Sequence, residues 1–382
     1  MSDDDKALRL ALAERLEASG HLRTGLWRAA VEAVPRHEFL RGGFFEPADS
    51  PGPTAWRPVL PDDRRWLGRC YDDASLVTQI AGTIAPRDIR GEILREPTSS
   101  STLPSLVVRM LEDLQVEERH RVLEIGTGTG YSTGLLCHRL GDDFVTSMEV
   151  DPEVSTRART ALGQAGYAPL LVVGDGLAGH PDGAPYDRLI ATCGVTDLPY
   201  TWVEQTRPGG IILATLSGWL YSSELARLTV GEDGIARGRL LDGQTSFMIA
   251  RPQLPPPLGL LPDIEDGEER ATPLAADALD DWNTRFVAQL AASRAQRLTL
   301  NRDGRTEHLL VDVDAGAWAA LAQDGDTWTV RQGGPARLWD DIEETVTQWR
   351  ADGAPGLNHC EVTVTPAGQT VTWSRACIGS RS

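Results

Sequence analysis

Apolar and polar positions follow three regimes along the chain. Between residues 4 and 34 the apolar positions recur at helical spacing: "DKALRLALAERLEASG" carries such a stripe and closes on a glycine, and "TGLWRAAVEAVPRHEFL" repeats it up to Pro35. Two helices are expected there. Residues 41–70 are rich in Pro, Gly, Asp and Trp without a period and are read as an ordered loop region or lid. "TLPSLVVRMLEDL" predicts a helix with proline in its first turn and the hydroxyls ahead of it as caps.

The second regime alternates short apolar runs with helical stripes. "RVLEIG" (121–126), "FVTSMEV" (144–150), "PLLVVGD" (169–175), "YDRLIATC" (186–193) and "GGIILATL" (209–216) read as strands. "GYSTGLLCHRLG" and "PEVSTRARTALGQAG" read as the intervening helices. Strand and helix in turn imply an α/β fold, a parallel sheet with helices on both faces. Residues 221–250 suggest shorter, antiparallel strands closing that sheet.

A proline-rich linker, "RPQLPPPLGLLPD" (251–263), introduces the third regime. Beyond it "ADALDDWNTRFVAQLAASR" and "LWDDIEETVTQWRAD" read as helices. "RLTLN", "EHLLVDVD", "WTVRQG" and "CEVTVTP…QTVTWSR" read as strands. The expected organisation is therefore an N-terminal helical and lid region (1–115), an α/β domain (116–250), the linker (251–263) and a C-terminal α+β domain (264–382). Six of the eleven tryptophans fall in this last domain and are read as core and surface anchors.

Composition narrows the partners. The formal net charge is −18, which repels phosphate backbones and argues against nucleic acid. Residues 261–382 hold 20 acids against 11 arginines, so a third of the chain carries half the excess. No apolar run approaches the ~20 residues that span a bilayer, and no membrane partner is expected. The N-terminus lacks a basic segment followed by an apolar one, so it is not read as a signal peptide. The five cysteines (Cys70, Cys137, Cys193, Cys360, Cys377) show no metal spacing and are too sparse for a disulfide scaffold. A cytoplasmic protein with reduced thiols and no bound metal is expected. Lys6 is the only lysine, so a Walker-type phosphate lysine is absent.

"LEIGTGTGY" follows a strand and opens a helix. Its glycines at 126, 128 and 130 let the backbone approach a ligand closely. The spacing is G-x-G-x-G, not the dinucleotide G-x-G-x-x-G. Glu149 ends the next strand, where a carboxylate accepts both ribose hydroxyls; it is also placed to cap the following helix. Asp175 in "GDG" ends the third strand, where it meets an adenine amino group or serves as a turn aspartate. Three such features at consecutive strand ends, without a second phosphate-binding element, point to S-adenosylmethionine.

Together "AVPRHEFL", "VLEIGTGTGY", "VTSMEVDPEV", "GDG" and "TRPGGIIL" resemble the protein-L-isoaspartate O-methyltransferases over about residues 20–216. The resemblance implies a Rossmann-like class I methyltransferase sheet. It implies S-adenosylmethionine bound by Glu124, Gly126, Thr127, Gly128, Gly130, Tyr131, Glu149, Val150, Asp175, Gly176 and Thr192. The family carries T-I-S-x-P where this chain has Ser100-Ser101-Thr102-Leu103-Pro104, so Thr102 stands at the serine that touches the acceptor carboxylate and Ser101 at the isoleucine. Ser100, Ser101 and Thr102 are accordingly the expected catalytic hydroxyls, with Ser99, Leu103 and Cys193 around the acceptor. A carboxylate is already ionised at neutral pH, so it needs no general base; it needs alignment and exclusion of water. Neutral hydroxyl donors suit that task. His37 is expected to be a structural cap and Cys193 an inert thiol.

The long C-terminal domain and "TSSS" resemble the actinobacterial homologues of ribosomal peptide pathways, those making graspetides and lanthipeptides. That implies methylation of an aspartate in a cyclised peptide, followed by aspartimide formation. Repair of L-isoaspartyl residues uses the same two chemical steps and stays open. A non-catalytic S-adenosylmethionine-binding, peptide-docking protein is the alternative of another class. The peptide or protein acceptor bears an Asp or isoAsp carboxylate; the oligomeric state is not specified by the sequence.

Overall fold

The computed structural model describes residues 3–48, 53–264, 267–302 and 305–373. Cys377 and the end of the strand "QTVTWSR" lie outside the described residues. The chain forms two compact units. The first comprises Met1–Cys193, Pro199–Ala214 and Arg227–Ala236. The second comprises Gly194–Leu198, Thr215–Ala226 and Arg237–Ser382.

In the first unit α1 (Asp3–Ala18) and α2 (Gly25–Ala33) match the two expected helices. Next come strands β1 (Phe44–Pro47) and β2 (Trp56–Val59), the single-turn helix α3 (Trp66–Arg69), and strands β3 (Leu76–Ile80) and β4 (Pro97–Ser101). These strands form a sheet in the order β2-β1-β3-β4. The span read as a loop or lid is thus partly sheet. Its strands are only four residues long, too short to show a period, yet Phe45, Val77 and Ile80 build a core there with Trp56, Ile84, Ile89 and Ile93. Thr98 to Ser101 of the hydroxyl run lie in β4, an edge strand of that sheet, and Thr102 follows it.

Helix α4 (Pro104–Asp113) follows, and then the alternating part: β5 (Val122–Ile125), α5 (Tyr131–Leu140), β6 (Val145–Glu149), α6 (Pro152–Ala165), β7 (Leu170–Val173), β8 (Tyr186–Val195), α7 (Tyr200–Gln205) and β9 (Thr206–Leu216). The strand order is β9-β8-β5-β6-β7, with β5 parallel to both β6 and β8, and β6 parallel to β7. Central β5 is buried at every position, as a strand covered on both faces must be. Helix α6 shows how local sequence sets the element. The Asp151 carboxylate accepts the N–H groups of Glu153 and Val154, Pro152 occupies the first turn, and left-handed Gly166 ends the helix. Strands β10 (Glu224–Val230) and β11 (Ala236–Leu240) occupy the stretch expected to hold shorter strands.

The second unit contains β12 (Glu268–Thr272), α8 (Trp282–Ala291), β13 (Gln296–Arg302), β14 (Arg305–Asp312), β15 (Ala317–Asp324), β16 (Thr327–Gly333), α9 (Leu338–Ala351), and the antiparallel pair β17 (Cys360–Thr365) and β18 (Gly368–Trp373). Strands β12-β16-β15-β14-β13 form an antiparallel sheet. Two of its strands were not expected: β12, which is mostly polar, and the alanine-rich β15. The expected linker is not a free tether, since Leu258, Leu261 and Ile264 pack with Leu309, Val311 and Trp318 against this sheet. The division into units also differs from a cut at residue 250, because the second unit takes Gly194–Leu198 and Thr215–Ala226.

Candidate active site

The candidate site lies at the C-terminal ends of β5 and β6, where the glycine loop meets the hydroxyl strand. Two glycines make the loop's approach possible. Gly126 has φ +94°, and a Cβ there would stand 2.8 Å from Thr192 Oγ1; Gly128 has φ +54°, and its Cβ would stand 3.4 Å from the Ser100 carbonyl oxygen. The loop is therefore bounded by β8 on one side and by β4 on the other. Met148 O accepts the N–H groups of Gly126 and Thr127, at 2.9 and 3.0 Å, and Thr192 Oγ1 donates to Gly126 O at 2.5 Å. Thr127 is buried with its hydroxyl 2.7 Å from Ser147 Oγ. Gly130 precedes α5 and lies against Leu162 and Ala158 of α6.

Glu124 does not reach the open side. It is fully buried, and Ser132, Thr133 and Ser147 all donate hydroxyl hydrogens to its carboxylate, the last at 2.7 Å. Burial pushes its pKa up and the three donors oppose that shift. It fastens the first turn of α5 to β5 and β6, so its place is behind the loop. Tyr131 likewise points inward: it is buried against Phe39, with the Arg36 guanidinium 5.7 Å from its ring centroid. The structure does not bring either side chain to the mouth of the loop.

Glu149 does. One of its oxygens accepts Gly128 N–H at 2.9 Å and the other accepts Asp151 N–H at 3.1 Å. The helix cap is Asp151, so Glu149 is not spent on capping α6. Val150 (39% exposed) and Val173 (53% exposed) present apolar surface at the ends of β6 and β7. Asp175 is exposed, with one oxygen accepting Leu177 N–H at 2.9 Å; it is a turn aspartate that also faces outward. Gly176 begins the short turn that follows, and its carbonyl accepts Trp202 Nε1–H at 2.9 Å. Cys193 is half-buried next to Thr192, and burial pushes its thiol up to about 12.

Strand alternation sorts the hydroxyls of β4. Ser99 and Ser101 are buried. Ser99 Oγ accepts from Thr78 at 3.3 Å, and Ser101 Oγ lies 3.5 Å from Arg36 Nη2. Ser100 and Thr102 are half-buried, and neither hydroxyl bonds to another side chain or carbonyl among the described residues. None of these hydroxyls caps α4: Leu103 is the N-cap residue and makes no side-chain cap bond. The helix start is held instead by Ser75 Oγ, which accepts Leu103 N–H at 3.1 Å, and by Asp73, which accepts Ser105 N–H at 2.8 Å. The capping expectation is thus corrected: the Ser100 backbone lies beside Gly128, Ser100 and Thr102 are half-buried, and Ser101 is turned inward.

Arg36 was not anticipated. It is fully buried and donates to the carbonyls of Cys70, Asp72, Ala74, Ser101 and Thr102, at 2.9–3.3 Å. Burial lowers its pKa, and carbonyl oxygens are its direct partners. Its effect is to pin the end of the hydroxyl strand. The sequence signal lay in "VPRHEF", next to His37. That histidine is structural, though not a cap: Nδ1 is 2.7 Å from Tyr71 Oη, and the ring meets Trp66 edge-on. Among the described residues no cluster of three or more His, Cys, Asp or Glu is arranged to hold a metal, and no helix is long and apolar enough to cross a membrane.

Comparison with known proteins adds the family. The model of the protein-L-isoaspartate(D-aspartate) O-methyltransferases matches residues 78–235. A protein-L-isoaspartate O-methyltransferase from Methanopyrus kandleri is 32% identical over 245 residues, covering 63% of this chain and 91% of the relative. One from Thermococcus onnurineus is 29% identical over 236 residues, covering 61% and 89%. A solved structure of a protein-L-isoaspartate O-methyltransferase superposes with a TM-score of 0.55 at 21% identity, over 96% of this chain and 99% of its own, and shares the fold.

Proposed function

The chain belongs to the protein-L-isoaspartate O-methyltransferase family, and from that premise we propose that it methylates an aspartyl side-chain carboxylate of a modified ribosomal peptide. Membership makes it an S-adenosylmethionine-dependent carboxyl O-methyltransferase. The residues present suit that cofactor. Gly126 and Gly128 leave the space that side chains would fill, Glu149 holds a carboxylate at the end of β6, and Val150 and Val173 offer apolar surface for an adenine. Bound there, S-adenosylmethionine supplies an electrophilic methyl group.

The protein's own residues supply placement. The acceptor carboxylate is ionised at neutral pH and needs no base. Ser100 and Thr102 donate to it from hydroxyls that have no other partner among the described residues, and so hold it without removing its charge. Arg36 keeps their strand in place from behind. The methyl ester formed is then attacked by the backbone N–H of the following residue. The new C–N bond forms, methanol leaves, and an aspartimide results.

The observation that carries the aspartyl reading is the rebuilt acceptor strand. Ser100-Ser101-Thr102 stand where the family has T-I-S, and the chain makes a sixteen-residue excursion, residues 81–96, between β3 and β4. L-isoaspartyl repair is the second reading, favoured by the names of the relatives, protein-L-isoaspartate O-methyltransferases. The test is mass spectrometry after incubation with S-adenosylmethionine and either an L-isoaspartyl peptide or ring-closed peptides containing L-Asp. Methylation of the ring-closed L-Asp peptides alone supports the proposal. Methylation of the isoaspartyl peptide establishes repair.

A further inference from the structure

Thr98 belongs to the hydroxyl run yet has no part in the acceptor contacts above. Its Oγ1 accepts Gly82 N–H and donates to Gln79 Oε1, both at 2.9 Å. The Gln79 amide is 1% exposed, and its Nε2 donates onward to Asp151 Oδ2 at 3.2 Å. Asp151 caps α6 through its other oxygen and gives its N–H to Glu149, whose second oxygen takes Gly128 N–H. One unbroken line of hydrogen bonds therefore joins the hydroxyl strand to the carboxylate at the end of β6 and to the glycine loop.

The ladder is irregular at this point. Val77 pairs with Ser100, Gln79 with Ser99 and Ile80 with Pro97, so Thr78 on β3 and Thr98 on β4 each fall outside the register. Such bulges re-aim side chains. A buried amide has a desolvation cost that a leucine of similar size avoids, and it is tolerated only where its donors and acceptors are satisfied. Here both ends of the amide are bonded, and they bond to the two parts of the site whose separation matters.

We propose that Gln79 is a positioning residue for methyl transfer, one that fixes the hydroxyl strand relative to the strand end bearing Glu149. This rests on the carboxyl-methylation reading. Gln79 touches neither reactant. It acts through Thr98 and Asp151, and its loss shifts Ser100 and Thr102 against the loop. A displacement of about 1 Å at a reacting centre costs up to ~100-fold in rate.

The test uses the full chain with Gln79→Leu, Gln79→Glu and Thr98→Val. The first readout needs no turnover: hydrogen–deuterium exchange of the cofactor-free protein. Gln79→Leu should speed exchange locally, over residues 97–102 and 149–154, and leave β5 protected. The second is the split between kcat and cofactor Kd. Gln79→Leu and Thr98→Val should lower kcat by roughly 10- to 100-fold, with cofactor Kd within about threefold. The third is a pH profile. Gln79→Glu sets a carboxylate against Asp151, so its activity should recover as pH falls and the new acid regains a proton to donate, while the parent stays flat.

Unchanged exchange, with kcat within twofold of the parent in Gln79→Leu, would overturn the proposal. If Gln79→Leu does not fold, Thr98→Val decides by the same two readouts. Local loosening in a parent that methylates no carboxylate would retain the tie and refute the functional reading, so the two failures are distinguishable.

Discussion

Arg36→Met removes the charged clamp behind the hydroxyl strand, and its effect can be worked from the contacts. The guanidinium gives up bonds to five carbonyls, those of Cys70, Asp72, Ala74, Ser101 and Thr102. Each bond from a charged donor contributes about 1.5–3 kcal/mol, and these contributions are not additive. Relief of the buried charge offsets part of the loss. Breaking a buried charged network of this kind costs about 3–5 kcal/mol net. For a unit of this size that is a fall in Tm of roughly 6–20 °C. Arg36→Lys keeps the charge, but its single ammonium cannot reach all five carbonyls, so a folded but slow enzyme is expected. The assay is thermal unfolding of parent, Met and Lys variants, followed by kcat and cofactor Kd for those that fold. Arg36→Met within 1 kcal/mol of the parent, or Arg36→Lys with parental kcat, would refute the clamp.

Other outcomes follow from the same geometry. Thr102→Ala and Ser100→Ala should lower kcat with cofactor affinity nearly unchanged; parental kcat in both would remove these hydroxyls from the site. Gly128→Val puts a branched side chain in a left-handed conformation against the Ser100 carbonyl and should abolish cofactor binding by calorimetry. Burial lowers the pKa of His37, His120, His138 and His308, so the unfolded chain binds protons first. Their stability contribution is full above about pH 6.5 and is lost as pH falls through the folded values; a Tm that rises on acidification from pH 7 to 6 would contradict this. Truncation after residue 250 strips Thr196, Leu198 and Ser222 of their bonds to Gln253, Gln369 and Gln289. A shortened chain that unfolds cooperatively at the parental temperature would oppose that reading.

The parallel sheet was legible because its signals are local. Apolar runs, helical stripes and glycine turns are written within a few residues of where they act, while the cap of α6 proved to be Asp151 rather than Glu149. The positions of Gly126, Gly128, Glu149 and Asp175 at or just after strand ends were legible for the same reason. What stayed hidden depends on distant partners. Arg36 meets carbonyls 34–66 positions away, and Gln79 meets Asp151 72 positions away; neither leaves a local pattern. The family resemblance implied Tyr131 at the cofactor, but the first turn of α5 directs it at Phe39. The hydroxyl run read as three catalytic hydroxyls, Ser100, Ser101 and Thr102, with Ser99 beside the acceptor, whereas strand pleating buries Ser99 and Ser101 and leaves Ser100 and Thr102 half-buried. "AWAALAQD" gave no strand signal because alanine is depleted in strands, yet it forms β15 within the second unit's sheet. The length beyond the parallel sheet is not peculiar to this chain, since a solved protein-L-isoaspartate O-methyltransferase aligns with the fold over 96% of it.

The central claim is that the methyl group ends on a carboxylate oxygen. It is tested most directly by transferring deuterium-labelled methyl from S-adenosylmethionine to ring-closed L-Asp and L-isoaspartyl peptides and treating the products with mild base. The account predicts that the label is released as methanol, because an ester forms and is expelled as the aspartimide closes. Label that stays on the peptide through base treatment would place the methyl on nitrogen or sulfur and contradict the account.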